Sequence, residues 1–151
     1  MTSWLSEDEL AAWHGLLTMS AALQVRLNRE LQSQHGISLA DYEVLGRLHD
    51  ATDARLRTVD LVATLTWEQS RVSHQLTRMQ RRGLVVREDC ESDRRGSVYA
   101  LTELGRTTIE RAAPEHVAAV RRLVFDHLTA TQVRQLGALT SRVLAALDDR
   151  E

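Results

Sequence analysis

Apolar residues in the first quarter of the chain mostly recur three, four or seven positions apart, the spacing of one face of an α-helix. The residues that follow this pattern are Leu10, Trp13, Leu16, Leu17, Leu23, Leu27 and Leu31. Ser6 and Glu9 have the spacing of a capping box, and Gly36 is suited to a left-handed helix stop. The pattern therefore predicts one long helix over residues 6–34.

Two shorter helices are predicted next, over residues 39–50 and 59–65, with Ser38 and Thr58 as their N-caps. Apolar residues again recur at helical spacing and are expected to be buried. These residues are Leu39, Tyr42, Leu45, Leu48, Val59, Val62 and Leu65.

A further helix is predicted over residues 67–82, where Thr66 and Gln69 have capping-box spacing. Its expected inner stripe is Val72, Leu76 and Met79, and Gly83 marks its end. A short helix, the tight connection "LTW" and then this helix give the order of a helix-turn-helix, in which the second helix reads DNA.

The pattern changes after Gly83. The runs "LVVRED" and "SVYALT" are rich in β-branched residues, and the polar segment "CESDRRG" separates them. Two such runs around a polar loop that contains glycine predict a β-hairpin.

Helical spacing returns from Thr102 to Leu128, and Pro114 is expected to kink or restart this helix. Thr129 and Gln132 have capping-box spacing and introduce a last helix over residues 130–148. The fold class is therefore mainly α with a small β-hairpin.

Composition is typical of one globular domain: 151 residues, 43% hydrophobic, 26% charged and a single proline. The only cysteine, Cys90, excludes an intrachain disulfide and a CxxC motif. Neither a leader of signal-peptide type nor a long apolar run occurs, so we expect a cytoplasmic protein without a membrane partner.

Charge is concentrated on one segment of an acidic protein. The chain has a net charge of −2, yet the run from Gln69 to Arg82 holds four arginines and no acid. Residues 66–97 hold seven arginines against five acids, a net of +2 that leaves −4 for the remainder. Such a focused basic segment favours attraction to a phosphate backbone without general stickiness.

Polar residues of the 67–82 helix are expected to form an outward row with the chemistry of DNA recognition. Arginine, glutamine and serine hydrogen-bond base edges and phosphates, and the arginine fork matches the two acceptors of guanine. The expected DNA-binding residues on this helix are Ser70, Arg71, Ser73, His74, Gln75, Arg78 and Arg82. An ordinary solvated surface is the alternative, but solvated helices normally interleave acids with their arginines. Arg94 and Arg95 at the hairpin tip add a second basic projection.

The segments "SLADYEVLGRL", "SRVSHQLTRMQRRGLVVRE" and "DRRGSVYALTELG" resemble, in position and order, the MarR family of winged helix-turn-helix regulators. The resemblance covers nearly the whole chain. It implies one domain over residues 1–151, with dimerisation helices over 6–34 and 103–148 and a DNA-binding lobe over 38–102.

The resemblance also implies roles for individual residues. Ser70, Arg71, His74, Gln75 and Arg78 would enter the major groove. Arg94 and Arg95 would reach the minor groove or its phosphates, with Asp93 bracing a wing arginine. Family members often bind small, frequently aromatic anions in a cleft between the dimer helices and the DNA-binding lobe. Trp13, His14, Tyr42, Arg47 and Trp67 are plausible lining residues here, although aromatic residues at this spacing are more often core.

Dimerisation also follows from the apolar pattern itself. The terminal segments carry more apolar helical surface than a small central core covers, which is unusual on a monomer. A two-fold dimer presents two reading helices to half-sites about one helical turn apart, so a roughly palindromic operator and promoter repression are expected.

Other chemistry has little support in the sequence. The six histidines are scattered without metal-site spacing, no cofactor motif or enzymatic nucleophile motif occurs, and acids flank Cys90, which disfavours a reactive thiolate. We therefore expect neither an enzyme nor a metal or cofactor site. Two alternatives stay open: a helical dimerisation module that binds an acidic protein, and a ligand or redox sensor in which DNA contact is secondary.

Overall fold

The computed structural model describes residues 4–88 and 97–148. These residues are mostly helical with a small antiparallel sheet, which confirms the predicted fold class. The helices are α1 (Glu7–His35), α2 (Leu39–Asp50), α3 (Thr58–Leu65), α4 (Gln69–Arg81), α5 (Glu103–Leu123) and α6 (Ala130–Asp148). The strands are β1 (Arg55–Arg57), β2 (Val85–Glu88) and β3 (Val98–Leu101), and short 3₁₀ turns cover Thr52–Ala54 and Phe125–His127.

Three of the predicted helix starts are confirmed by their hydrogen bonds. The Ser6 hydroxyl accepts from the Glu9 amide at 3.2 Å, and the Glu9 carboxylate accepts from the Ser6 amide at 2.7 Å. Ser38 forms the same reciprocal pair with Asp41. The amide of Thr129 donates to Gln132 Oε1 at 2.8 Å. Each cap satisfies backbone donors that the first helical turn leaves without a partner.

The predicted caps at Thr58 and Thr66 are wrong. Thr58 is the first residue of α3, and both its amide and its hydroxyl donate to the carbonyl of Ser97 instead. Thr66 follows α3 in the left-handed region, with φ 54°, so α4 begins only at Gln69 and has no side-chain cap. An N-cap residue has an extended backbone, so Thr66 in the left-handed region does not cap α4, and Glu68 takes that position instead.

The sheet has one strand more than the predicted hairpin. β2 and β1 both pair antiparallel with β3, in the order β1-β3-β2, and Tyr99 of β3 lies opposite Leu56 on one side and Arg87 on the other. β1 has only three residues, too few for an alternating pattern to be recognised.

The chain forms two compact units, Met1–Glu115 and His116–Glu151. Pro114 lies inside α5, which continues past it as one helix to Leu123. In the first unit, apolar side chains of α2, α3, α4 and the sheet make one buried core. Val59 is 62% exposed, contrary to expectation, because the buried positions of α3 are Leu61 and Leu65.

Close backbone approach fixes the start of α5 against the turn that follows α4. The Thr102 hydroxyl donates to the carbonyl of Gly83 at 2.6 Å, and the Gly105 amide donates to that hydroxyl at 3.0 Å. A Cβ at Gly105 would overlap the carbonyl oxygen of Leu84 and lie 3.1 Å from its carbonyl carbon. Only glycine fits this position without a backbone shift.

We predict that Gly105→Ala lowers the free energy of unfolding by about 1–3 kcal/mol, because the new methyl group meets backbone that must move. Gly46→Ala is the matched control, since a Cβ there has no neighbour within 4 Å. Its stability should rise by up to about 1 kcal/mol, because glycine is a poor helix former. Urea unfolding followed by circular dichroism measures both variants, and equal stabilities would contradict the close contact at Gly105.

Candidate nucleic-acid interface

Helix α4 has one buried face and one exposed face. Val72, Leu76 and Met79 are fully buried, which confirms the predicted inner stripe. The polar side chains expected to face outward are exposed at Ser70, Arg71, Ser73, His74 and Arg78. Within α4 no acidic residue occurs, so the exposed face presents cations and hydroxyls without the acids that would pair with them along the helix.

Gln75 does not belong to the outward row. It is only 3% exposed and donates from Nε2 to Asp41 Oδ1 at 2.6 Å. Its Oε1 accepts from Arg78 Nη2 at 2.6 Å. Gln75 therefore lies beneath the exposed face of α4 and contacts Arg78 from below.

Arg82 also differs from the prediction. Its Nη1 donates to Asp41 Oδ2 at 2.6 Å, and its Nη2 donates to the carbonyl of Gly36 at 2.7 Å. The guanidinium is thus used to attach the end of α4 to the junction between α1 and α2, although its side chain is 44% exposed.

Sequence reasoning missed the acid that organises both residues. Asp41 is 2% exposed and accepts from Gln75 and Arg82. The sequence contains a signal for its burial. Asp41 precedes the buried Val44 and Leu45 by three and four residues, so it shares their helix face.

At the start of α4, Arg71 stacks on an aromatic ring. Its guanidinium carbon lies 3.9 Å from the centre of the Trp67 ring, which is cation–π geometry. Partial burial raises the pKa of nearby Glu43, and the positive charges of Arg71 and Arg47 oppose that shift. The Trp67 ring therefore helps to hold the Arg71 side chain near the start of α4.

Arg71, Trp67 and Glu43 border a cavity of about 360 Å³ beside α1 and α2. Its lining residues are Gln24, Val25, Asn28, Leu39, Ala40, Glu43, Trp67 and Arg71. Trp67 was a plausible lining residue on the sequence, whereas Trp13, His14, Tyr42 and Arg47 do not line this cavity.

A groove of about 490 Å³ lies between α3, α4 and the sheet. Hydroxyl groups of Thr58, Ser73, Thr77 and Ser97 border it, together with the exposed Arg87 of β2. Arg87 was not singled out on the sequence, and it is exposed although strand alternation puts it on the same side of β2 as the buried Val85.

The base of the hairpin is tied to the rest of the sheet by an exposed ion pair. Arg55 of β1 donates to both carboxylate oxygens of Glu88 at 2.8 and 3.1 Å. This hydrogen bonding holds the pKa of Glu88 below its ordinary value. The expected wing arginines Arg94 and Arg95, like Asp93 and Cys90, lie outside the described residues.

Within residues 4–88 and 97–148, no group of three or more histidine, cysteine or acidic side chains has the placement of a metal site. Among the same residues, no helix is both long and apolar enough to span a membrane.

Comparison with known proteins agrees with the geometry of α4. The MarR family model matches residues 35–96. AbsC, a MarR family transcriptional regulator from Streptomyces coelicolor, is 38% identical, with a TM-score of 0.92 over 99% of this chain and 100% of that chain. Sco3205, a MarR family regulator from the same organism crystallised in complex with DNA, is 36% identical, with a TM-score of 0.93 over 97% of this chain and 92% of that one.

A curated relative adds support from a second genus. An HTH-type transcriptional regulator from Bacillus cereus is 28% identical over 118 residues, which are 78% of this chain and 77% of the relative. Identity above one third along nearly the full length of a solved family member, with the same fold, decides the assignment. The chain belongs to the MarR family of transcriptional regulators.

Proposed function

We propose that this protein binds a roughly palindromic promoter site in duplex DNA as a homodimer and represses transcription by occupying it. The observation that carries the proposal is the exposed face of α4, which presents arginine, histidine and serine without an acid and rests on a fully buried apolar stripe. Such a helix has both the rigid support and the donors that major-groove recognition requires.

The structure refines which side chains we assign to DNA. Within α4 we assign major-groove or phosphate contacts to Ser70, Arg71, Ser73, His74 and Arg78, all of which are exposed. Gln75 and Arg82 are left out of the contact set, because Gln75 is buried and Arg82 is bonded to Asp41. Arg94 and Arg95 remain our proposal for the minor groove or its phosphates.

The homodimer is supported by the apolar surface of each unit taken separately. Along α6, every residue of which is described, no side chain is buried. Its large exposed apolar residues are Val133, Leu139, Val143, Leu144 and Leu147, and those of α1 are Leu10, Trp13, Leu16, Leu17, Met19 and Val25. Apolar surface of this extent is unusual on a monomer, and we propose that a second copy of the chain covers it.

Selection of bound sequences from a random duplex pool tests the proposal, with the affinity of the selected site then followed against salt. A palindromic consensus, a steep fall of affinity with salt and a complex mass of two chains per duplex are expected. Failure to bind any duplex at low salt would instead favour the protein-interaction alternative, in which the basic helix meets an acidic partner.

We further propose that the cavity beside Trp67 receives a small aromatic anion that weakens DNA binding. Arg71 belongs both to this cavity and to the exposed face of α4, so an anion that attracts its guanidinium withdraws it from DNA.

A cavity-filling variant separates this effect from DNA binding itself. Gln24 lines the cavity from α1, and we predict that Gln24→Phe abolishes release by small aromatic carboxylates while operator affinity without them stays within about twofold of wild type. Fluorescence anisotropy of a labelled operator measures both quantities. Unimpaired release from the Gln24→Phe protein would place the effector elsewhere.

Arg78→Ala is predicted to cost about 1–3 kcal/mol of operator binding and to relax the preference for one base pair, if Arg78 reads guanine. Competition between the selected operator and single-base variants measures the preference. Arg111→Ala, which removes the same charge from an exposed position of α5, should leave that preference intact. A loss that is equal for all duplexes would show that Arg78 contacts only phosphate.

Arg95→Ala is predicted to weaken binding most at operators with A·T-rich flanks, because arginine is attracted to the enhanced negative potential of a narrow minor groove. The measurement compares affinities for A·T-rich and G·C-rich flanks around one consensus. Unchanged affinity for the A·T-rich flanks would remove Arg95 from the interface.

A further inference from the structure

The carboxylate of Asp41 is buried and accepts three hydrogen bonds. It is 2% exposed and accepts from the Ser38 amide at 2.8 Å, from Gln75 Nε2 at 2.6 Å and from Arg82 Nη1 at 2.6 Å. A side chain buried to this degree has no surface to offer to DNA. Any influence of Asp41 on recognition therefore acts through its partners.

Chemistry fixes which way the Gln75 amide points. A carboxylate only accepts hydrogen bonds, so Gln75 has to turn its NH₂ group toward Asp41. The amide oxygen is then directed to the other side, where it accepts from Arg78 Nη2 at 2.6 Å. Arg78 therefore donates to Gln75, and Gln75 donates to Asp41.

The inner end of the chain is anchored on both sides. Ser38 and Asp41 form the capping box of α2, so backbone geometry holds the carboxylate. Arg82 binds the second carboxylate oxygen and also the carbonyl of Gly36. Because Asp41 is held at several points, it provides a fixed reference from which Gln75 can restrain Arg78.

We propose that Asp41 and Gln75 are positioning residues that hold the Arg78 guanidinium for base recognition, so that specificity depends on a residue that never touches DNA. The proposal rests on the proposed function and deepens it. A guanidinium has five N–H donors, and the bond to Gln75 occupies one, which leaves the others for base edges or phosphates. A restrained arginine also loses less side-chain entropy when it binds.

Asp41→Asn is the sharpest variant because it keeps shape and reverses polarity. The Asn oxygen has to face the donors of Ser38 and Arg82, so the Asn NH₂ group faces Gln75. Gln75 must then turn its oxygen toward residue 41 and its NH₂ group toward Arg78, where two donors repel each other. Gln75→Met removes the link more simply, with a side chain of similar size.

The test measures the ratio of two affinities, one for the selected operator and one for a duplex with a single changed base pair. The changed base pair is the one for which Arg78→Ala relaxes the preference. We expect Asp41→Asn and Gln75→Met each to lower this ratio about tenfold. In the Arg78→Ala background, the same two changes should alter the ratio less than about twofold, because their effect passes through Arg78. Non-additivity of this kind is not produced by a general loss of stability.

Leu76→Val is the matched control, since it weakens the packing of α4 without touching the hydrogen-bond chain. It should lower the melting temperature and leave the affinity ratio unchanged. The proposal is overturned if the variants lose the same affinity for every duplex. It is also overturned if they lower the affinity ratio equally in the wild-type and Arg78→Ala backgrounds. Wild-type protein that selects no consensus refutes the proposed function itself, a result visible before any variant is made.

Discussion

Burial of the apolar stripe of α4 is the constraint on which the rest of the structure depends. Val72, Leu76 and Met79 are fully buried against the core of the first unit, so the opposite face of the helix has to point outward. Arg71 and Arg78 are therefore exposed on one side of the helix. The short helix α3 and the left-handed Thr66 lead directly into this helix.

Periodicity predicted this stripe because the burial of apolar side chains is the main force that places a helix, and it is visible in the order of residues. The same pattern was misjudged at Gln75. Counting from Val72 and Met79, Gln75 lies three and four residues away and therefore shares their face, but its polar character suggested exposure. A polar residue on a buried face requires a buried partner, and Asp41 is thirty-four positions away in the sequence. Pairings at that distance depend on the tertiary fold.

Local chemistry was similarly reliable only where no tertiary contact competed with it. The caps at Ser6, Ser38 and Thr129 form between residues three positions apart, so their geometry depends on local sequence alone. At Thr58, the amide and the hydroxyl both donate to the carbonyl of Ser97. At Thr66, the backbone between the two helices is left-handed. Strand β1 was not predicted because it has only three residues, and its pairing with β3 depends on the tertiary fold. The arginines of the exposed face were predicted from an acid-free run at helical spacing, whereas the bonds of Arg82 to Asp41 and Gly36 needed the fold.

The bond between Arg82 and the carbonyl of Gly36 has a mechanical consequence. Gly36 ends α1 in a left-handed conformation, a place where a chain bends readily, yet the last turn of α4 is fastened to that residue. A tilt of α1 at this turn therefore has either to break the hydrogen bond between Arg82 and Gly36 or to move the end of α4 with it. If two copies pair through α1, as proposed above, a rotation of that helix would displace the exposed face of α4. The spacing of the two proposed DNA-contacting faces would then follow the angle between the paired α1 helices.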